Sequence, residues 1–481
     1  MTTDGGKPNA NGVGMSLIAR CETPPTPVGR RTVKLLTPTG HLGFTPIEPE
    51  SFWKGVAEHP DAIIADSGSC DIGPHPLGAD EAASPRTWQE HDLELMLTAS
   101  RRLGVPMIIG SASDTGTDRG VREFAAIIRE LARKHRLPRF RMATIYSSQR
   151  LEDLKRRVEA GAWTQGLDGR PPLTVEDLEQ TDNAVAVMGV EPILEALRQG
   201  ADVIIAGRAC DPAIFAAPLR LAGYDPAIAY FAGKLLECAS FCAEPFAGKE
   251  SILGTVDADG IVLEPMSSYQ RCTPASVAGH AMYERANPLR EYLPGGYVDM
   301  SDCVYEAVDE RRTRVRGPRW VPSERYAVKL EGAGKVGERA LMIVGIRDPN
   351  TIAHLDDAIA WSRRKVRERF AGEQYQVYYH VYGRNGVMGE LEPVKEIRSH
   401  EVCVVVEGVA PTRAEAMELT NLAGRNFMYA RIPGLKGTAG AAAFMSDEVL
   451  SARAAYRWTL NHVIAVDDPL ELFRLQFEDV G

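Results

Sequence analysis

From Arg31 onward, short apolar runs alternate with longer stretches in which apolar residues recur every three or four positions. That alternation is the sequence form of repeated strand and helix units wound around a parallel sheet. The runs are Val33–Leu36, Ala62–Ala65, Val105–Ile109, Arg141–Ile145, Ala184–Val187 and Val203–Ala206. Several lack period-two alternation, as strands covered on both faces do. Between them Leu93, Met96, Leu97 and Ser100 recur at helical spacing, as do Val121, Phe124, Ala125, Ile128 and Leu131, so each stretch predicts a helix with one buried stripe. Thr174 with Asp177 three residues later predicts a capped helix start. Residues 166–172 predict a turn-rich surface excursion.

After about residue 245 the texture changes. Asp257-Ala258-Asp259-Gly260 between two apolar runs predicts a hairpin. Ala340–Ile346, Gln376–Tyr382 and Val402–Val406 read as strands, and Thr351–Phe370 and Thr412–Tyr429 as helices, the latter opened by a Thr412/Glu415 capping box. The expected fold class is α/β: an N-terminal doubly wound, mostly parallel sheet followed by a C-terminal α+β domain. With 481 residues, more than a single core usually serves, the expected division is a tail over 1–30, a sheet domain over 31–245 and a mixed domain over 246–481.

Composition narrows the function classes. Hydrophobic residues at 44% and charged residues at 25% suit a globular protein with a full core. A net charge of -10, and basic runs such as Lys155-Arg156-Arg157 without interleaved aromatics, argue against nucleic acid as a partner. Eight cysteines without a Cys-x-x-Cys pair suit free thiols in a reducing compartment. Residues 1–14 lack the basic start and apolar core of a secretory signal, and there is no run of 18 apolar residues. A cytoplasmic protein without a membrane partner is the expectation.

In open parallel sheets ligands bind beyond the carboxyl ends of the strands. Gly40 and His41 follow the first predicted strand; Asp66, Ser67, Ser69, Cys70, Asp71 and His75 follow the second; Ser111, Asp114 and Thr115 follow the third; Arg208 and Asp211 follow the sixth. Such residues also make turns and helix caps, but several such segments gather at one sheet edge. The Gly40-His41-Leu42-Gly43 turn lacks the second and third glycines of a dinucleotide G-x-G-x-x-G fingerprint, and a Walker phosphate loop is absent. His41, Asp66, Asp71 and His75 offer nitrogen and oxygen donors for a divalent metal, but at spacings that match no established signature, and no metal ligand is assigned. Ser67, Ser69 and Cys70 lack the G-x-S-x-G elbow of a serine hydrolase. Arg208 with Asp211 is the most pointed pair, because an arginine and an aspartate at a strand end can clamp an anion and handle a proton, or fasten the loop to each other. Cys238 and Cys242 have the spacing that puts two thiols on one helical face.

Gly200 through Asp211, followed by Ala217-Pro218, resembles the GAD-V-I-x-GR-x-x-D…P segment of the acyclic terpene utilisation family. Ala232 through Cys238 resembles its AG-x-LLEC helix, and Met282-Tyr283-Glu284, Asn287-Pro288, Tyr292-Leu293-Pro294 and Val298-Asp299 resemble its next conserved stretch. The chain departs from the family pattern at Gly40–Pro46 and at Arg271-Cys272-Thr273. The resemblance implies the breakdown of branched isoprenoid acids or their coenzyme A thioesters, often beside a small partner subunit. The expected activity is a lyase of hydratase or dehydratase type on a carboxylic acid or its thioester. Arg208 would anchor the ligand with Gly40, Ser67, Ser69, Ser111 and Thr115 around it, while Asp66, Asp114 or Asp211 and His41 would move protons. A noncatalytic acyl- or coenzyme A-binding subunit is the alternative, and a homo-oligomer is expected in either case. The cofactor is left open.

Overall fold

The computed structural model describes residues 32–38, 40–437, 442–444 and 449–481, and the expected tail over 1–30 lies outside the described residues. Six early strands are β1 (Val33–Thr37), β2 (Ala62–Gly68), β3 (Met107–Asp114), β4 (Phe140–Tyr146), β5 (Asn183–Val187) and β6 (Val203–Ala206). Five of them form the parallel heart of a sheet in the order β1-β2-β3-β6-β4. Adjacent residues in each strand go to opposite faces, so Leu35, Ile64, Ile108 and Ile204 face one core while Leu36, Ile63, Ile109 and Ile205 face another. Helices α1 (Pro49–Ala57), α2 (Arg86–Leu103) and α3 (Asp118–His135) cover the second face. The first is covered by α4 (Val190–Arg198), α5 (Asp211–Leu221) and α6 (Pro226–Glu237). This is the doubly wound arrangement that the unalternated strands require.

Later segments complete the same sheet. The hairpin at Asp257–Gly260 joins β7 (Ile252–Asp257) to β8 (Gly260–Pro265), and β7 pairs antiparallel with β1. Two further strands, β9 (Val304–Ala307) and β10 (Thr313–Arg316), extend this edge. A second sheet is organised on the 20-residue strand β11 (Ala327–Ile346), which lies between β13 (Val402–Ala410) and β14 (Ala455–Ala465), with β12 (Gln376–Tyr382) beyond β13. At the opposite edge of the first sheet, β15 (Arg474–Val480) runs antiparallel along β4. Helices α7 (Leu355–Arg369) and α8 (Arg413–Met428) pack on the second sheet, and the Thr412/Glu415 and Thr174/Asp177 capping boxes are both formed.

One predicted strand has a different place. Ala184–Val187 lies within β5, which pairs antiparallel with β11 rather than joining the parallel sheet. An apolar run records that both faces are covered and leaves the pairing partner open. The placement matters because Met188, just beyond β5, exchanges hydrogen bonds with the Arg208 loop: Met188 N donates to Arg208 O at 3.0 Å and Cys210 N donates to Met188 O at 2.9 Å. The second sheet is thereby stitched to the rim of the first. No helix among the described residues is long and apolar enough to cross a membrane.

Candidate functional site

The carboxyl ends of β2, β3 and β6 meet at a close-packed rim. Ser111, Ser113 and Asp114 at the end of β3 all take left-handed backbone, with φ of 49°, 54° and 72°, a conformation held only where the surroundings enforce it. Two glycines let the neighbouring loops approach. A Cβ on Gly68 would stand 2.4 Å from the Asp114 carbonyl oxygen, and one on Gly116 would stand 2.2 Å from the Arg208 nitrogen. Gly116 also has a φ of 66°. Gly116→Ala is therefore expected to destabilise the fold by roughly 2 kcal/mol or more, read as a lower denaturation midpoint at unchanged slope.

Arg208 is buried, at 7% exposure, and its guanidinium is held on several sides. Nε donates to Glu331 Oε2 at 2.9 Å, and Nη1 donates to Ser111 Oγ at 3.0 Å and Asp211 Oδ1 at 3.2 Å. The Arg208 backbone nitrogen donates to Ser147 Oγ at 2.7 Å. Glu331 also accepts from Lys329 Nζ at 2.9 Å. Burial opposes the charge on Glu331, but Arg208 and Lys329 outweigh it and hold the carboxyl down at about 2. Two cations thus share one fixed anion.

Asp66 and Asp211 behave in the opposite way. Burial and the charge of Asp211 push Asp66 up to about 7, against the pull of Arg208. Its Oδ2 accepts from Gly68 N at 3.0 Å, whereas its buried Oδ1 has no hydrogen-bond partner. Burial also lifts Asp211 to about 7, although Arg208 lies beside it. Next along, Lys234 pairs with Glu237, whose carboxyl is raised by burial, and Cys238 follows with a thiol that burial also raises. The two groups of charges are brought side by side where α6 packs on the start of α5, since a Cβ on Gly233 would stand 2.2 Å from the Pro212 carbonyl oxygen.

His41 and Asp114 make a second centre. His41 Nε2 lies 2.6 Å from Asp114 Oδ1. Asp114 also accepts from Ser84 Oγ, from the backbone nitrogens of Ala83 and Ser84 at 2.9 and 3.0 Å, and from Gln89 Nε2 at 3.3 Å. Burial would raise this carboxyl, but the bonds from His41 and Ser84 keep it low. Both Asp114 oxygens are thus occupied, and one of them fixes the His41 ring. Leu42 N donates to Asp66 O at 2.9 Å, which ties His41 to the first cluster.

The other predicted residues take varied places. Gly40 makes the turn before His41 with a φ of 64°. Ser67 Oγ donates to Leu42 O at 3.2 Å, and Ser69 caps the short helix Cys70–Ile72 through Asp71 N. Thr115 Oγ1 is buried without a partner. His75 turns to Ala454 O at 3.0 Å and Glu81, away from His41's partner. Among the described residues no group of three His, Cys, Asp or Glu side chains is arranged to hold a metal ion. Cys238 closes α6, Cys242 lies in the following turn, and both are unpaired thiols. Sequence reading missed Lys329, Glu331, Lys234 and Glu237. The signal for the first two was a pair of charges at alternate positions in the otherwise apolar opening stretch of β11, residues 327–334. For Glu237 it was the acid inside the LLEC segment.

A family model described as acyclic terpene utilisation family protein AtuA matches residues 33–461. No curated protein and no solved structure matches the chain.

Proposed function

The chain belongs to the acyclic terpene utilisation family, and from that premise we propose that it acts as a hydratase or dehydratase on a carboxylic acid, or its coenzyme A thioester, in the breakdown of branched acyclic isoprenoids. The observation that carries this reading is Asp66, a buried carboxyl raised to about 7 whose Oδ1 is unpartnered. A group titrating near neutrality can both take and give a proton at working pH. Asp211, raised to the same range on the far side of Arg208, supplies a second such group. In the hydration direction, one carboxylate takes a proton from water as the water oxygen bonds Cβ of an α,β-unsaturated acyl group. The neutral carboxylic acid of the other then protonates Cα. Water has been added across the double bond, and no electron acceptor is needed.

Ligand binding follows from the charge balance. Arg208 and Lys329 surround Glu331, leaving one positive charge in excess once the basic carboxylate has taken its proton and Asp66 and Asp211 are both neutral. The enolate oxygen that develops in that step compensates it, and in a buried site the attraction is stronger than in water. His41, oriented by Asp114, stands as the next proton carrier.

The deciding experiment offers the purified chain an α,β-unsaturated acyl coenzyme A thioester and follows loss of the enoyl-thioester absorbance, with calorimetric binding in parallel. Saturable turnover by the chain is the expected result. Binding without turnover assigns the chain instead to a noncatalytic acyl-binding subunit, and adding a small partner subunit then has to restore the reaction. Absence of both binding and turnover refutes the reading.

A further inference from the structure

Two large apolar side chains outside the polar cluster stand open to solvent on one patch. Phe241 and Phe246 are 48% and 61% exposed and stack with centroids 5.0 Å apart. Phe241 also meets Tyr283 at 5.4 Å, and the buried His280 ring packs 5.1 Å from Tyr283. The segment carrying Phe246 is braced, since Gln270 Nε2 donates to Pro245 O at 3.0 Å and Tyr269 Oη donates to Glu250 Oε1 at 2.7 Å. An exposed stack that is fixed in place is a surface prepared for contact rather than a frayed core.

The inner end of the patch leads to the acids. Lys234 Nζ lies 4.9 Å from the centre of the Tyr283 ring and pairs with Glu237. Gly233, beside Lys234, packs so closely on the residue after Asp211 that a Cβ there would stand 2.2 Å from the Pro212 carbonyl oxygen. His280 Nε2 lies 3.1 Å from Lys234 O, while its buried Nδ1 has no partner. Burial lowers His280 to about 3, so the wall it contributes stays uncharged. A molecule with one polar end and one hydrocarbon end would meet polar groups at the Asp211 end of the cluster and aromatic faces at Phe241.

We propose that Phe241, Phe246 and Tyr283 seat the hydrocarbon tail of the substrate, with its carboxyl or thioester end directed at the Asp66–Arg208–Asp211 cluster. This rests on the reading of that cluster as an acyl-group site. Flat aromatic side chains with few rotatable bonds receive a branched tail at little entropic cost.

The test measures binding of straight-chain carboxylic acids of increasing length, and of the matching primary alcohols, to the wild type and to a Phe241→Ala/Phe246→Ala variant. In the wild type each added methylene should tighten binding roughly threefold to fourfold, and in the variant that dependence should collapse. Both side chains are about half exposed, so the variant folds, which an unchanged unfolding curve checks. A variant that keeps the length dependence overturns the proposal, as does a wild type with none. Acids that bind with no length dependence overturn the tail seat and leave the acyl-group reading standing. Acids and alcohols that bind equally, with a length dependence lost in the variant, support the seat and remove the carboxyl-directed reading. If the variant only converts a dimer to a monomer, the patch is a contact between copies and the proposal fails.

Discussion

Asp66→Asn is expected to lower turnover by about 10²- to 10⁴-fold and at the same time to stabilise the protein above neutral pH. The unfolded chain releases the Asp66 proton near the ordinary 3.8, whereas the folded protein holds it to about 7. Between those values the folded state binds the extra proton, so its stability falls as pH rises through the window. The full contribution is present only below 3.8. Asparagine keeps an oxygen to accept from Gly68 N but does not titrate. The stability difference between variant and wild type should be near zero at about pH 4 and on the order of 3 to 4 kcal/mol in favour of the variant at about pH 8. Denaturant unfolding across pH, with turnover measured on the same preparations, checks both halves. A fully active variant, or a stability difference that does not change with pH, would exclude Asp66 as the proton carrier.

Arg208→Ala should cost about 3 to 5 kcal/mol of stability, because it strands Glu331 as a buried charge held only by Lys329. Arg208→Lys should recover part of this, since an ammonium cannot make the two-point contact of a guanidinium with Glu331. Removing both partners in Arg208→Met/Glu331→Leu should restore most of the loss, giving a coupling of about 2 kcal/mol or more. That double variant separates the two roles open to the arginine. If Arg208 also touches the ligand, the refolded double variant still binds it more weakly by about 1.5 to 3 kcal/mol. If wild-type affinity returns with stability, Arg208 is a fastener alone.

The parallel sheet was legible because its signal is local. Each run such as Ala62–Ala65 or Val203–Ala206 carries its own record of burial on both faces, and the glycines and acids after it mark the strand end. Asp66, Ser111, Arg208 and Asp211 were within reach of the same reasoning. Pairing is not local, so β5 looked like a sixth parallel strand while its true partner lay more than 140 positions along the chain, at Lys329–Ala333. Glu331 was hidden for the same reason. Within β11 it looks like an ordinary solvent-facing charge on an alternating strand, and only the docking of β5 beside the Arg208 loop turns it inward. The charge state of the rim was also out of reach. Asp114 and Asp66 are both aspartates at strand ends, and what separates a fully bonded carboxyl held low from one raised to about 7 is the burial and the number of donors around each.

The stitching of β11 to the Arg208 loop sets a timetable for the ribosome. Arg208 and Glu331 are 123 positions apart, a stretch that takes roughly 6 to 25 s to synthesise at ordinary elongation rates. During that interval the parallel strands and their helices can already have emerged, yet the guanidinium at their rim has no Glu331 to meet. The outer edge of β4 waits longer still, until β15 arrives to cover it. The nascent first half therefore presents an open strand edge together with a guanidinium whose carboxylate partner is Asp211 alone, and both are completed only by segments made later.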